Sequence, residues 1–120
     1  MVRGLGIALA FALVTGCVTP SIPIPPPDPD KMTFLFDVGT GDVTFSYTAS
    51  ANFGGATVYV FDRATGKGVI DTARNDGSVG PTPPFAASAG DQVDITFQLG
   101  DQAASLCVLI REGTPSSFCP

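Results

Sequence analysis

The sequence predicts an all-β protein, a small antiparallel β-sandwich of about seven strands. Three observations carry that expectation. From Met32 onward, apolar residues alternate in runs of about five to eight, broken by Gly, Asp and Pro clusters, the period-2 signature of half-buried strands. The composition, with 14 Gly and 11 Pro, suits short strands and many turns. No run beyond the first apolar stretch has a capped 3.6-residue period, so essentially no helix is expected after Cys17.

The strands follow in order. Phe34, Phe36 and Val38 alternate before the turn Gly39-Thr40-Gly41-Asp42, and Val43, Phe45 and Tyr47 alternate after it. A four-residue loop there sets Val38 against Val43, Phe36 against Phe45 and Phe34 against Tyr47, with all six pointing inward. A third strand over Thr57 to Asp62 is followed by a Gly-containing turn and by Val69 and Ile70, a hairpin whose register the pattern leaves open. Residues 76–90 read as loop with a short edge strand near Phe85, where prolines would guard the edge. Val93, Ile95 and Phe97, the two-residue turn Gly100-Asp101, and Ala104, Leu106 and Val108 form a last hairpin. In it Phe97 opposes Ala104, Ile95 opposes Leu106 and Val93 opposes Val108. The recurring Gly-Asp before strands is turn chemistry and not a repeat. The arrangement resembles immunoglobulin-like or fibronectin-like sandwiches, without the buried Trp of antibody domains, since the chain has no Trp.

The N-terminus carries the clearest functional signal. MVRGLGIALAFALVTG has one positive charge at Arg3 and an apolar run from Leu5 to Val14. About 15 Å of helix cannot span a hydrocarbon core of about 30 Å, so the run reads as a secretory signal. It ends in Val14-Thr15-Gly16-Cys17, which resembles the lipobox of bacterial lipoprotein precursors. The resemblance implies cleavage between Gly16 and Cys17 and lipidation of the Cys17 thiol, an anchor that several acyl chains make effectively permanent. It also implies an outer-membrane location, because Val18 stands where Asp would signal inner-membrane retention. The competing reading makes Cys17 a buried or disulfide-bonded residue. Residues 18–31 hold six prolines and read as a polyproline II spacer reaching about 40 Å. The expected organisation is a signal peptide over 1–16, a lipidated cysteine and spacer over 17–31, and a sandwich over 32–120.

With Cys17 assigned to lipid, Cys107 and Cys119 remain as a pair in an oxidising compartment, and a disulfide between them is expected. CVLIREGTPSSFC folds back about Gly113, setting Cys107 opposite Cys119 and Val108 opposite Phe118. Such a closure stabilises a fold by about 3 kcal/mol in the chain-entropy model.

Chemistry is sparse in the remainder. The chain has no His and a single glutamate, Glu112, so a base near neutral pKa is missing and no catalytic residue is assigned. A net charge of −5 repels phosphate backbones, which excludes nucleic acid as the expected partner. GDQVDITF resembles a strand of cupredoxins, but their copper needs His ligands that are absent here. Asp62, Asp71, Asp76, Asp91, Asp94 and Asp101 lie in or near turns without the spacing of a known calcium loop, and no cofactor or metal is expected. The reading that results is a non-catalytic binding or structural module of the cell envelope. It is held to the membrane by lipid and has a protein or glycan as partner. Two alternatives stand beside it: a small hydrolase using Asp or Ser, and a protease-inhibitory module presenting Arg111 to Pro115 on a disulfide-braced hairpin.

Overall fold

A computed structural model describes residues 23–120. It consists of eight strands in two antiparallel sheets: β1 (Met32–Asp37), β2 (Asp42–Tyr47), β3 (Thr57–Asp62), β4 (Lys67–Thr72), β5 (Phe85–Ala86), β6 (Gln92–Leu99), β7 (Gln102–Leu109) and β8 (Ser117–Phe118). One sheet has the order β1-β2-β5 and the other β4-β3-β6-β7-β8. Two 3₁₀ turns, Pro29–Lys31 and Ala51–Phe53, are the helical content of the described residues, among which no helix is long and apolar enough to cross a membrane. The β-sandwich expected from the alternation is therefore the fold, with the short Phe85 strand added to β2 and a further two-residue strand at the C-terminus.

The hairpin β6-β7 has the register that its two-residue turn dictates: Phe97 faces Ala104, Ile95 faces Leu106 and Val93 faces Val108. The hairpin β1-β2 departs from expectation. Its loop still has four residues, but they are Val38 to Gly41, one position earlier, so Phe34 faces Phe45, Phe36 faces Val43 and Met32 faces Tyr47. The cause is Asp37. Its carboxylate accepts the Gly39 N–H at 2.9 Å and its carbonyl accepts the Gly41 N–H at 2.8 Å, closing the turn before Val38 can pair. Because the shift is two residues, the same side chains keep facing inward. Val38 alone leaves the strand and stands 101% exposed, and Phe36 is only partly buried.

Both sheets turn their apolar faces to a shared core in which aromatic rings form the joint. Tyr47 of β2 lies 4.9 Å from Phe97 of β6 between ring centroids, and Phe97 lies 4.3 Å from Phe53. Phe34 and Phe45 add a pair at 5.2 Å. Such contacts add about 0.5–1.5 kcal/mol each beyond their area burial. Phe53 comes from the 3₁₀ turn that Ser50 caps by accepting the Asn52 N–H. Gly77 holds a φ of +85° against Ser50, where any Cβ would collide with the Ser50 carbonyl.

Backbone contacts complete the closure. Phe34 and Gly113 exchange hydrogen bonds of 2.9 and 2.8 Å, tying β1 to the loop after β7, and Tyr47 and Val79 exchange two of 3.0 Å. Prolines at 81, 83 and 84 lack donors, and buried Thr82 compensates. Its N–H donates to the Phe45 carbonyl at 2.9 Å and its hydroxyl accepts the Phe45 N–H at 3.1 Å.

The described part of the proline-rich segment lies on the sandwich and does not stand clear of it. The Ile24 N–H donates to the Gln102 side chain at 2.9 Å, and the Asp28 N–H donates to the Tyr47 hydroxyl at 2.8 Å. Pro27 is buried and Ile24 packs on the core. The segment is held by side chains at the start of β7 and at the end of β2, while β8 pairs only with Val108 and Leu109 and leaves most of β7 without a strand on that side.

Replacing Phe97 by Ala removes the ring that touches both Tyr47 and Phe53. The expected loss is about 3–5 kcal/mol, read as a lowered urea midpoint with a single cooperative transition.

Candidate binding face

The outer face of the five-stranded sheet is built by period-2 alternation. In β3 the residues Val58, Val60 and Asp62 point into the core, which sends Thr57, Tyr59 and Phe61 outward. The register then sets Ile70 and Gly68 of β4 beside Tyr59 and Phe61 on one flank. On the other flank lie Thr96 and Asp94 of β6, with Gln98 beside Thr57. One strand further, Ser105 faces Thr96 and Ala103 faces Gln98. The result is an apolar stripe, Tyr59 at 36%, Phe61 at 45% and Ile70 at 66% exposure, beside a shelf of small and polar side chains.

The polar groups of this face hold one another. Arg63 grips Asp94 with two contacts of 2.8 Å and reaches Gln92 at 3.2 Å. The Tyr59 hydroxyl donates to Gln98 Oε1 at 3.0 Å, and the Thr96 and Ser105 hydroxyls are 2.6 Å apart. Asp94 raises the Arg63 pKa further above its ordinary value through hydrogen bonding and charge. The shelf is thus a set of pre-oriented donors and acceptors with its one cation already neutralised.

The residues singled out in the sequence are found in several places. Cys107 and Cys119 form a disulfide with Cα atoms 5.4 Å apart, and Val108 faces Phe118 as expected. Cys107 faces Asp94, so the bridge belongs to the side of the sheet that carries the shelf. Gly16 and Cys17, the expected cleavage and lipidation positions, lie outside the described residues. In the loop after β7, Arg111 Nε donates to the Thr114 carbonyl at 2.8 Å and Glu112 accepts the Phe36 N–H at 3.0 Å. That loop therefore braces itself and caps β1. Lys67 begins β4 and is exposed.

The turn aspartates are mostly occupied as caps. Asp76 accepts the Ser78 N–H and hydroxyl, which hold its carboxyl below the usual range, and Asp91 accepts the Ser88 N–H at 2.9 Å. Among the described residues no three His, Cys, Asp or Glu side chains converge on a metal position. Asp62 is the exception to the surface pattern. It is 0% exposed, its Oδ1 accepts the Ala64 and Thr65 N–H groups, and its Oδ2 has no partner. Burial first, and the adjoining Asp91 carboxyl second, push its pKa up to about 6 against the opposing pull of the two backbone donors.

Sequence reasoning missed the aromatic stripe. The signal was present: TVYVF at 57–61 is apolar on both alternating faces, where a strand with one wet face should place polar residues outward. Comparison of the chain with protein-family models, with curated proteins and with solved structures finds no match.

The Asp62 carboxyl makes a pH prediction. A carboxyl raised in the folded state contributes stability that is complete below its unfolded pKa near 4 and is lost as pH rises through about 6. Unfolding stability is expected to fall by about 2 kcal/mol between pH 4.5 and 7.5, a window set by the raised pKa. In Asp62→Asn, whose amide can donate to Asp91 at every pH, that fall should vanish. Urea titrations across the window compare the two.

Proposed function

We propose that this chain is a lipid-anchored protein of the bacterial outer membrane whose sandwich is a non-catalytic binding module. The observation that carries the reading is Val14-Thr15-Gly16-Cys17 at the end of a short apolar run behind Arg3. The thiol count supports it, because Cys107 and Cys119 are bonded to each other and leave Cys17 without a partner in the chain. The binding half draws support from the exposed aromatic stripe and its ordered polar flank, a kind of surface that folding alone does not require.

The docked spacer changes the geometry of such an anchor. With Ile24 bonded to Gln102, the tether from Cys17 runs about seven residues, or about 20 Å even as extended polyproline. The sandwich is then kept near the headgroups, roughly half as far as a fully free spacer would allow.

Cells expressing the full chain should incorporate a fatty-acid label into it and retain it in the membrane fraction. Cys17→Ser should lose both label and retention while the Cys107–Cys119 bond and the fold persist. A labelled Cys17→Ser protein, or an unlabelled parent, contradicts the anchor.

A further inference from the structure

We propose that the aromatic side of the five-stranded sheet binds a polysaccharide, an uncharged chain of β-linked pyranose rings that stack on Tyr59 and Phe61 and present their hydroxyls to the β6 shelf. The inference deepens the binding half of the function proposed above and rests on it.

A pyranose ring is apolar on its C–H faces and polar around its rim. A surface that suits it needs a rigid flat plate with fixed hydrogen-bonding groups at the plate's edge. Tyr59 and Phe61 are two such plates, two residues apart on one strand and so about 6–7 Å apart along it. Ile70 extends the stripe beside Tyr59, and Gly68 beside Phe61 carries no side chain, so a ring can lie across that flank without obstruction. On the opposite flank Asp94 faces Phe61 and Thr96 faces Tyr59, with Gln98 next in line. Each is held by a neighbour, Asp94 by Arg63, Thr96 by Ser105 and Gln98 by the Tyr59 hydroxyl, so little rotamer entropy remains to be lost on binding. Ala103 and Ser105 keep the shelf low where larger side chains would wall it.

Charge and size favour this occupant. Arg63 is neutralised by Asp94 and the chain carries −5, so the face offers no attraction to a polyanion. A protein partner needs a desolvated apolar centre, whereas here three apolar side chains lie in a single stripe against a polar row. A narrow apolar stripe with a hydroxyl-binding margin matches the cross-section of a sugar chain. Uncharged chains of this kind belong to polysaccharides outside the cell, whereas the wall polymer of the cell's own envelope carries carboxylates that a chain of net charge −5 does not attract.

The test is co-sedimentation of the detergent-solubilised full chain with chitin and microcrystalline cellulose, both uncharged, and with purified peptidoglycan sacculi as the anionic comparison. The chain is expected to sediment with at least one of the two uncharged polymers, and Tyr59→Ala with Phe61→Ala to weaken that binding by at least about tenfold. Ser105→Arg, which fills the shelf and leaves the aromatic pair intact, should weaken it too, with circular dichroism confirming an unchanged fold. The proposal is overturned if the chain sediments with neither uncharged polymer, or with sacculi alone. It is equally overturned if binding survives both variants, or if the aromatic double variant abolishes self-association seen by light scattering, which would make a second copy the occupant. Failure here with Cys17 labelling intact removes the glycan and leaves the anchor standing.

Discussion

The tilted ring contact between Tyr47 and Phe97 is the contact on which the rest of the molecule depends. A three-stranded sheet and a five-stranded sheet have few covalent or hydrogen-bonded links, and each alone would leave an apolar face in water. Tyr47 gathers the connections in one residue. Its ring meets Phe97 at 4.9 Å and Phe53 at 5.9 Å, and its backbone exchanges two hydrogen bonds with Val79. Its hydroxyl receives the Asp28 N–H of the proline-rich segment. Burial raises the Tyr47 pKa above its ordinary value, so the hydroxyl stays protonated at all physiological pH values.

That joint explains why an aromatic surface is left over. The inward positions of β3 hold Val58 and Val60, both essentially buried, and the core is filled by them with Phe97, Ile95 and the β1-β2 rings. Tyr59 and Phe61 are not needed to close it. Their large side chains are exposed on a sheet whose last strand, β7, is bridged to the C-terminus by the disulfide on that same side. Stability and recognition are thereby assigned to opposite faces of the same strand.

The sequence makes this division partly legible. Hairpin β6-β7 could be read to the residue because Gly100-Asp101 is a two-residue turn flanked by strict alternation, and β7-β8 because two cysteines bracket Gly113. Hairpin β1-β2 was displaced because the turn-forming role of Asp37 competes with the β propensity of Val38, and alternation alone does not decide between them. Phe53, Val79 and Thr82 could not be placed at all, since their contacts join segments far apart in the chain. Asp62 reads as one more turn aspartate. Its burial follows from the alternation of β3, which places it on the inward face with Val58 and Val60, and from the approach of Asp91. The proposed anchor is the reverse case, resting on the sequence alone.

Native-state hydrogen exchange of the full chain addresses the central claim, that the aromatic joint makes the two sheets one cooperative unit. Amides of β2 and β6 around Tyr47 and Phe97 should exchange only through global unfolding and respond identically to added denaturant. Separate exchange, with the β1-β2-β5 sheet opening at lower denaturant while β3, β6 and β7 stay protected, would contradict the account.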